Sequence, residues 1–350
     1  MTKAGHTAIH NYYQSGESEN AQKSRWSQFV EFMKDSYPEI KDMKDITEEH
    51  VKSFAQDLAK EIEDEGKSVA DAHNKISCIN VVMSVARGDN EISVSPREAI
   101  GHSRSGIRET ENPNSQEAVE KAMDRWFNLG EDAHGNDLGA RFAAMSDLAR
   151  EFGARNEEAA KFPAKEALSQ VEKQFESFKQ GKTDSVNIRI EYGNKGGAVR
   201  EFEVVPLAEK MNREEAIAEI ERKIDVLRDV AEAQGNSGNC IPREYSFREF
   251  DQAYRNSVAG TGYSMHADRR EWANDRWELV AKTMGYDLPS PVRSDVPQGQ
   301  NYFDFYAEQN GISRGAIIGA YKEIQQEVSE ALGHHRPDVC NQYCGSGFSI

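Results

Sequence analysis

Apolar side chains recur with a helical period through the N-terminal part of the chain. Two stretches place them at i, i+3, i+4 and i+7 and a third at i, i+3, i+7 and i+10, spacings that form one buried face of an amphipathic helix. Thr47 stands where an N-cap is expected before the second stretch, and the third runs from about Val69 to Ala86 and stops at Gly88. The inward positions are Trp26, Phe29, Val30, Met33, Val51, Phe54, Ala55, Leu58, Ile76, Ile79, Met83 and Ala86. This pattern predicts a small all-helical domain over residues 21–105.

Two polar segments flank this helical domain. Residues 1–20 carry no apolar run, and we predict a flexible N-terminal arm there. Gly101–Asn114 is rich in Ser, Gly, Arg and Asn and lacks periodicity, which indicates an interdomain linker centred on residues 106–114. Arg104 and Arg108 would suit a strand that passes close to phosphates, although a merely soluble linker explains them equally well.

The rest of the chain, residues 115–350, combines helical periods with one change of period. Apolar and polar residues alternate on both sides of the turn Gly193–Gly197, which predicts a β-hairpin. The alternating positions are Val186, Ile188 and Ile190 before the turn and Phe202 and Val204 after it. Helices are predicted near Gln116–Phe127, Leu138–Phe152 and Arg213–Ala233, from Tyr245 onwards, and around Ile317, Tyr321, Ile324 and Val328, with a proline-containing loop at Leu288–Gly299. The predicted fold class is therefore mainly α with a small β-hairpin (α+β).

Composition narrows the class of protein further. A length of 350 residues suggests about two domains, and 37% hydrophobic residues can fill two cores. No apolar run approaches the roughly 18 residues of a spanning helix, and the N-terminus has no apolar signal core. We therefore expect no membrane association and a cytoplasmic location.

Four cysteines are too few and too scattered for a disulfide framework in a chain of this length. Cys340 and Cys344 follow His334 and His335 closely, which raises the alternative of a zinc site. Their spacing matches no common zinc module, so reduced thiols and no bound metal are the prediction.

The net charge of −17 opposes a nucleic-acid partner, because phosphate neutralisation requires Lys and Arg. A whole-chain sum does not describe one face, however. An acidic outer surface can coexist with a basic groove.

Five short features supply residues that could handle a phosphodiester without a metal. Such chemistry needs a nucleophile, cations for the nonbridging oxygens and an acid for the leaving oxygen. The features are Arg155 with Glu158 three residues later, Lys195 in the hairpin turn, His266 with Arg269, His334 in Leu-Gly-His, and Tyr343 nine residues after His334. Each of them alone is common by chance: a surface Arg, a solubilising Lys, a helical His–Arg pair.

Their order is specific, and it resembles the active-site series of the tyrosine recombinase (phage integrase) family. The hairpin exit at Val205-Pro206-Leu207 is similar to the second strand of that family, and the N-terminal helical region is similar to its SAM-like core-binding domain. The resemblance covers residue 20 to the C-terminus and points to the integrases of bacterial mobile elements. It implies a catalytic domain over residues 115–350.

The resemblance implies a role for each matching residue. Tyr343 attacks the scissile phosphate and forms a 3′-phosphotyrosyl link. The implied phosphate clamp is Arg155 and Arg269, although Arg270 and Arg276 lie close enough to be alternatives for the second arginine. Lys195 protonates the leaving 5′-oxygen, His266 assists proton transfer, His334 donates to a phosphate oxygen, and Glu158 orients Arg155. Arg104 and Arg108 become DNA-binding candidates. No cofactor is required, because the covalent link conserves the bond energy.

The implied function is site-specific recombination that integrates or excises a mobile element. The expected partners are double-stranded DNA, three further copies in a homotetramer on DNA and an accessory directionality factor, and the expected location is the bacterial nucleoid. Three other readings stay open. They are a catalytically inactive DNA-binding relative with a regulatory or architectural role, an enzyme like type IB topoisomerases, and an acidic helical protein with chance motifs.

An insertion around residues 285–313 lengthens the spacing between Arg269 and His334. Only seven residues follow Tyr343, which is too short for a docking helix. Subunit exchange in a tetramer would therefore need another element, either the aromatic residues of the insertion or the N-terminal arm. The alternative is that these aromatics, which are Tyr302, Phe303, Phe305 and Tyr306, pack on their own domain.

Overall fold

The computed structural model describes residues 1–13, 16–103, 107–108, 110–194, 197, 199–334 and 336–348. The chain divides into two compact units, Met1–Ser105 and Gly106–Ile350. Each unit has its own apolar core. The fold is mainly helical with one two-stranded antiparallel sheet, which confirms the predicted fold class.

The first unit is entirely helical in its described residues. Its helices are α1 (Thr2–Tyr12), α2 (Gly16–Ser36), α3 (Glu48–Glu65), α4 (Val69–Arg87) and α5 (Pro96–Ile100). Thr47 caps α3, where its amide donates to His50 Nδ1 at 3.0 Å, and Gly88 ends α4 with a positive φ of 75°. All but one of the predicted inward residues of α2, α3 and α4 are buried, the exception being Ala86.

The predicted flexible arm at residues 1–20 is wrong for its first half, because α1 packs into the core of the first unit. Ile9 is fully buried and Ala8 nearly so. Gly5 lies so close to Trp26 that an added Cβ would be 1.9 Å from the indole nitrogen. Two of the three buried residues of α1, Gly5 and Ala8, are small, so the segment has no obvious apolar stripe.

The second unit contains ten helices among its described residues and the single hairpin. The helices are α6 (Gln116–Phe127), α7 (Leu138–Phe152), α8 (Asn156–Lys161), α9 (Ala164–Lys179), α10 (Arg213–Gln234), α11 (Phe247–Val258), α12 (Met265–Thr283), α13 (Tyr302–Gln309), α14 (Arg314–Ala331) and α15 (Asn341–Cys344). Strands β1 (Asn187–Ile190) and β2 (Arg200–Glu203) pair antiparallel, with Ile190 opposite Arg200 and Ile188 opposite Phe202. The hairpin and the helices predicted at α6, α7, α10 and α14 are all present.

The segment predicted as a linker is hydrogen-bonded to the second unit rather than free. We call residues 107, 108 and 110–114 the strap. The Arg108 amide donates to the Asn341 carbonyl at 2.9 Å, and Asn114 contacts Ser264 at the N-cap of α12. A segment without apolar periodicity can be ordered in this way because its polar groups find partners on other elements.

The insertion forms α13, preceded by a short 3-10 helix at Pro291–Arg293 inside the predicted loop. Tyr302 and Phe303 are fully buried, and Tyr306 is nearly so. Their rings pack against Tyr321 of α14 or against one another. The aromatic residues of the insertion therefore pack on their own unit, the second of the two readings of this segment.

None of the helices in the described part of the chain is long and apolar enough to cross a membrane. All four cysteines lie within the described residues and are buried free thiols. No cluster of three or more potential metal ligands occurs among residues whose placement is described.

Candidate active site

A helix N-terminus provides the first part of the candidate site. Helix α7 ends at Gly153, whose positive φ of 59° closes the helix, and Arg155 is the N-cap of α8. The Arg155 amide donates to Glu158 Oε2 at 2.8 Å, and its guanidinium contacts the other carboxylate oxygen. This capping arrangement holds Arg155 on a buried carboxylate while about a quarter of its side chain, 25%, stays exposed.

Two more arginines reach the same carboxylate from other elements. Arg200 of β2 lies 3.4 Å from Glu158 Oε2, and Arg269 of α12 lies 3.6 Å from it. Both side chains are 1% exposed. Three guanidinium groups around one carboxylate leave an excess of positive charge where solvent screens it poorly.

The C-terminal carbonyls of two helices offset part of this charge. At the end of α14, Arg155 and Arg269 donate to the Leu332 carbonyl at 3.2 and 2.7 Å, and Arg200 donates to the Ala331 carbonyl at 3.0 Å. At the end of α7, the carbonyl of Gly153 accepts from Arg200 at 3.1 Å and also from Arg269. Helix C-termini carry partial negative charge, so both ends favour the buried cations.

The pKa shifts follow from this arrangement. Burial lowers the pKa of the Arg200 guanidinium to about 9 and also lowers the pKa of Arg269. Burial alone would raise the pKa of the Glu158 carboxyl, but Arg200, Arg269 and Arg155 outweigh it and lower that pKa. Glu158 therefore stays ionised at neutral pH.

Tyr343 lies directly beside the arginine cluster. It belongs to the four-residue helix α15, and its ring centroid is 5.8 Å from that of His266 and 5.9 Å from that of His334. The Arg269 guanidinium carbon lies 5.5 Å from the centre of the tyrosine ring. Arg155 Nη2 is 3.4 Å from His334 Nε2, which joins the histidine to the cluster.

Burial and nearby positive charge lower the pKa of both histidines, which are therefore neutral at pH 7. Burial and then Arg155, Arg269 and Arg200 lower the pKa of His334 to about 4. Burial followed by Arg270 and Arg269 also lowers the pKa of His266 to about 4. Because His266 retains an exposed surface, we attribute its lowered pKa more to the neighbouring guanidinium groups than to burial. Each neutral imidazole keeps one nitrogen that can accept a proton.

The structure brings together the predicted residues that it describes, namely Arg155, Glu158, His266, Arg269, His334 and Tyr343. Lys195 and Arg104 lie outside the described residues. The start of the hairpin turn is nevertheless placed beside the site, because a Cβ on Gly193 would lie 2.4 Å from the Glu157 carbonyl oxygen. Arg108 belongs to the strap and contributes its backbone amide to Asn341.

The two alternatives for the second arginine have other partners. Arg276 binds Glu327 through two nitrogens, at 3.0 and 2.5 Å, and donates to the Glu203 carbonyl at 2.9 Å. Arg270 donates to the Asn112 carbonyl of the strap at 3.2 Å. Arg269 is the member of the three that contacts both Glu158 and the Tyr343 ring.

Arg200 is the site residue that sequence reasoning missed. A signal was present, because Arg200 alternates in phase with Phe202 and Val204, the apolar positions that predicted the second strand. A strand residue in that phase faces the same side as those two. An arginine on the buried face of a strand requires a charged or carbonyl partner, and here it has both.

One of three comparisons with known proteins gave a match. A family model described as Integrase matches residues 107–275. Through this segment the chain belongs to the integrase family. The matched segment of the integrase contains Arg155, Lys195, His266 and Arg269 and ends before Tyr343. Searches of the curated proteins and of the solved structures gave no match.

The charge cluster makes a testable prediction for the two histidines of this integrase. We expect both imidazoles to titrate near pH 4 in NMR spectra that resolve the ring nitrogens. Arg155→Gln should raise the pKa of His334 more than that of His266, since Arg155 is the charge that lowers His334 most. Arg270→Gln should do the reverse, since Arg270 is the charge that lowers His266 most. Titration of both rings near their usual pKa of about 6.5 would contradict this electrostatic account.

Proposed function

We propose that this protein is a site-specific DNA recombinase that cuts and rejoins DNA through a phosphotyrosyl intermediate at Tyr343. Its family already gives it the coarser role of a DNA integrase. The observation that carries the finer proposal is the position of Tyr343, close to two neutral histidines and beside a cluster of three arginines around Glu158. The same chemistry serves integration and excision of a mobile element.

The proposed reaction exchanges one phosphodiester for another. The Tyr343 oxygen attacks phosphorus and loses its proton, a P–O bond forms, and the bond to the 5′-oxygen breaks. The departing 5′-oxygen takes a proton, and the 3′-phosphate stays on the tyrosine. Attack by a 5′-hydroxyl then reverses these steps on another strand, so no external energy source is required.

The arginines supply the electrostatic part of catalysis. Negative charge builds on the nonbridging oxygens in the transition state, and fixed donors there cost no reorganisation. Arg155 is partly exposed and Arg269 borders the tyrosine ring, so we assign both to the phosphate. Glu158 and the helix ends hold the two guanidinium groups in place, and Arg200 supports them from the buried side.

The neutral histidines and Lys195 handle the protons. A neutral His266 can accept the Tyr343 proton, which a charged imidazole could not. His334 lies against Arg155 and is assigned to a phosphate oxygen. Lys195 is assigned to the leaving 5′-oxygen, on the strength of its place in the hairpin turn that starts beside α8.

The proposed partner is double-stranded DNA, bound with its scissile phosphate at Tyr343 and with Arg104 and Arg108 near the backbone. Assembly as a homotetramer on DNA, an accessory directionality factor and association with the bacterial nucleoid extend the proposal. Because the chain carries 60 acidic residues against 43 Lys and Arg, DNA affinity must come from local basic surface rather than from net charge.

The nucleophile can be tested with a nicked suicide substrate that contains the end of the mobile element. We expect wild-type protein to form a covalent DNA adduct that maps to Tyr343 by mass spectrometry. Tyr343→Phe should bind DNA but form no adduct. Tyr192→Phe is the matched control, since Tyr192 is 54% exposed near the hairpin turn and should be dispensable. An adduct that persists in Tyr343→Phe would refute the assignment.

The role of Lys195 can be separated from that of the arginines by changing the leaving group. A substrate with sulfur in place of the bridging 5′-oxygen releases a thiolate, whose pKa of about 8.5 makes proton donation unnecessary. Lys195→Ala should be slow on the oxygen substrate by on the order of a hundredfold or more and near wild type on the sulfur substrate. Arg155→Ala should be slow on both.

Lys161→Ala provides the control for loss of a nearby lysine. Lys161 pairs with Glu157 at 2.5 Å and has no role in the proposed mechanism. We expect the Lys161→Ala variant to cleave both the oxygen and the sulfur substrate at the wild-type rate. If Lys195→Ala were equally slow on both substrates, Lys195 would not be the general acid.

A further inference from the structure

The strap contacts the helix that carries Tyr343 on both sides of the tyrosine. The Arg108 amide donates to the Asn341 carbonyl at 2.9 Å. A Cβ on Gly345 would lie 2.9 Å from the Arg108 carbonyl oxygen, so the two backbones are packed together there. Helix α15 has four residues, far too few to be stable alone. Its position therefore depends on the elements packed against it.

The other end of the strap is locked to α12. Asn114 accepts from the Ser264 amide at 2.8 Å and donates to the Ser264 carbonyl at 2.9 Å and to Asp268 Oδ1 at 2.6 Å. Asp268 is 1% exposed. Its second oxygen accepts from Ser146 at 3.2 Å and from the Tyr263 hydroxyl. This network fixes the first turns of α12, where His266 and Arg269 lie.

Two contacts hold the middle of the strap. Glu111 pairs with Arg293 at 2.6 Å, and the Asn112 carbonyl accepts from Arg270 at 3.2 Å. The strap thus spans from the nucleophile helix to the helix that carries His266 and Arg269. The described part of the second unit begins with the strap.

We propose that Asn114 and Asp268 are positioning residues, which lock the strap onto α12 and so hold the Tyr343 helix against His266 and Arg269. Neither residue touches the tyrosine: Asn114 acts through the strap, and Asp268 anchors the strap to α12. The effect on strand cleavage rests on the proposed function, whereas the mechanical coupling does not.

The cysteines provide a test of this coupling that needs no DNA. Cys340 and Cys344 flank Tyr343 and are fully buried, while Cys78 and Cys240 are buried elsewhere. Asn114→Ala removes three hydrogen bonds and should free one end of the strap. In the full-length folded protein, N-ethylmaleimide should then label Cys340 and Cys344 faster, by on the order of tenfold. Cys78 and Cys240 should react at the wild-type rate.

A matched control removes an asparagine that makes the same pair of side-chain hydrogen bonds to the backbone of one residue, elsewhere in the second unit. Asn310 accepts from the Asp287 amide at 2.8 Å and donates to the Asp287 carbonyl at 2.8 Å, as Asn114 does to Ser264. Asn310→Ala should leave the labelling of Cys340 and Cys344 unchanged. A rise equal to that of Asn114→Ala would overturn the proposal.

A charge exchange tests whether Asn114 and Asp268 act as a pair. Asn114→Asp places two carboxylates in contact and should speed labelling of Cys340 and Cys344 at least as much as Asn114→Ala does. Adding Asp268→Asn restores one donor amide beside one carboxylate and should slow the labelling again. Labelling that stays fast in the double variant would show that the two residues do not act together.

Activity then distinguishes this proposal from the proposed function. With the suicide substrate, Asn114→Ala should form adduct on the order of tenfold more slowly at unchanged DNA affinity. If wild-type protein forms no adduct, the proposed function fails while the labelling result still stands. If labelling of Cys340 and Cys344 is the same in wild type and Asn114→Ala, or if all four cysteines become reactive together, the strap does not position Tyr343.

Discussion

The structure of the second unit depends on gathering three arginines, two of them fully buried, around the buried carboxylate of Glu158. Removing such charges from water is costly, and it is tolerated where carboxylates and carbonyls replace the lost hydration. Here the replacements come from Glu158 and from the C-terminal ends of α7 and α14. The helix ends, the hairpin and the N-terminus of α8 must therefore meet at one point. The fold and the candidate site share this one constraint.

The same constraint reconciles the acidic composition of the chain with the phosphate substrate that we propose for it. The net charge of −17 describes the whole chain, whereas the cluster contains three cations and one anion. Many other arginines are paired with carboxylates, as Arg276 is with Glu327 and Arg222 with Glu219. Under the proposed function, the positive charge that remains in excess at this point would hold a phosphate without reorganisation, as transition-state stabilisation requires.

Much of the fold followed from local sequence patterns, because burial imposes a period on apolar residues. The helices α6 and α7 and the hairpin were predicted in this way. The candidate site residues were predicted in another way, from an order of short motifs that resembles the tyrosine recombinase series. Helix α1 was missed because Gly5 and Ala8 pack by being small rather than apolar. The order of the strap was missed for another reason: Asn114 and Arg108 are fixed by partners more than a hundred residues away. Arg200 could have been predicted only from its place in the strand alternation, which puts a charged side chain on the buried face.

Thermal unfolding with inorganic phosphate tests the central claim, that the arginine cluster is a preformed phosphate site, most directly. A ligand that binds the folded state alone raises the free energy of unfolding, by about 1.4 kcal/mol at a concentration ten times its Kd. At constant ionic strength, phosphate should raise the Tm of wild-type protein, and Arg155→Gln should abolish most of that rise. An equal rise in both proteins, or none in wild type, would contradict the account.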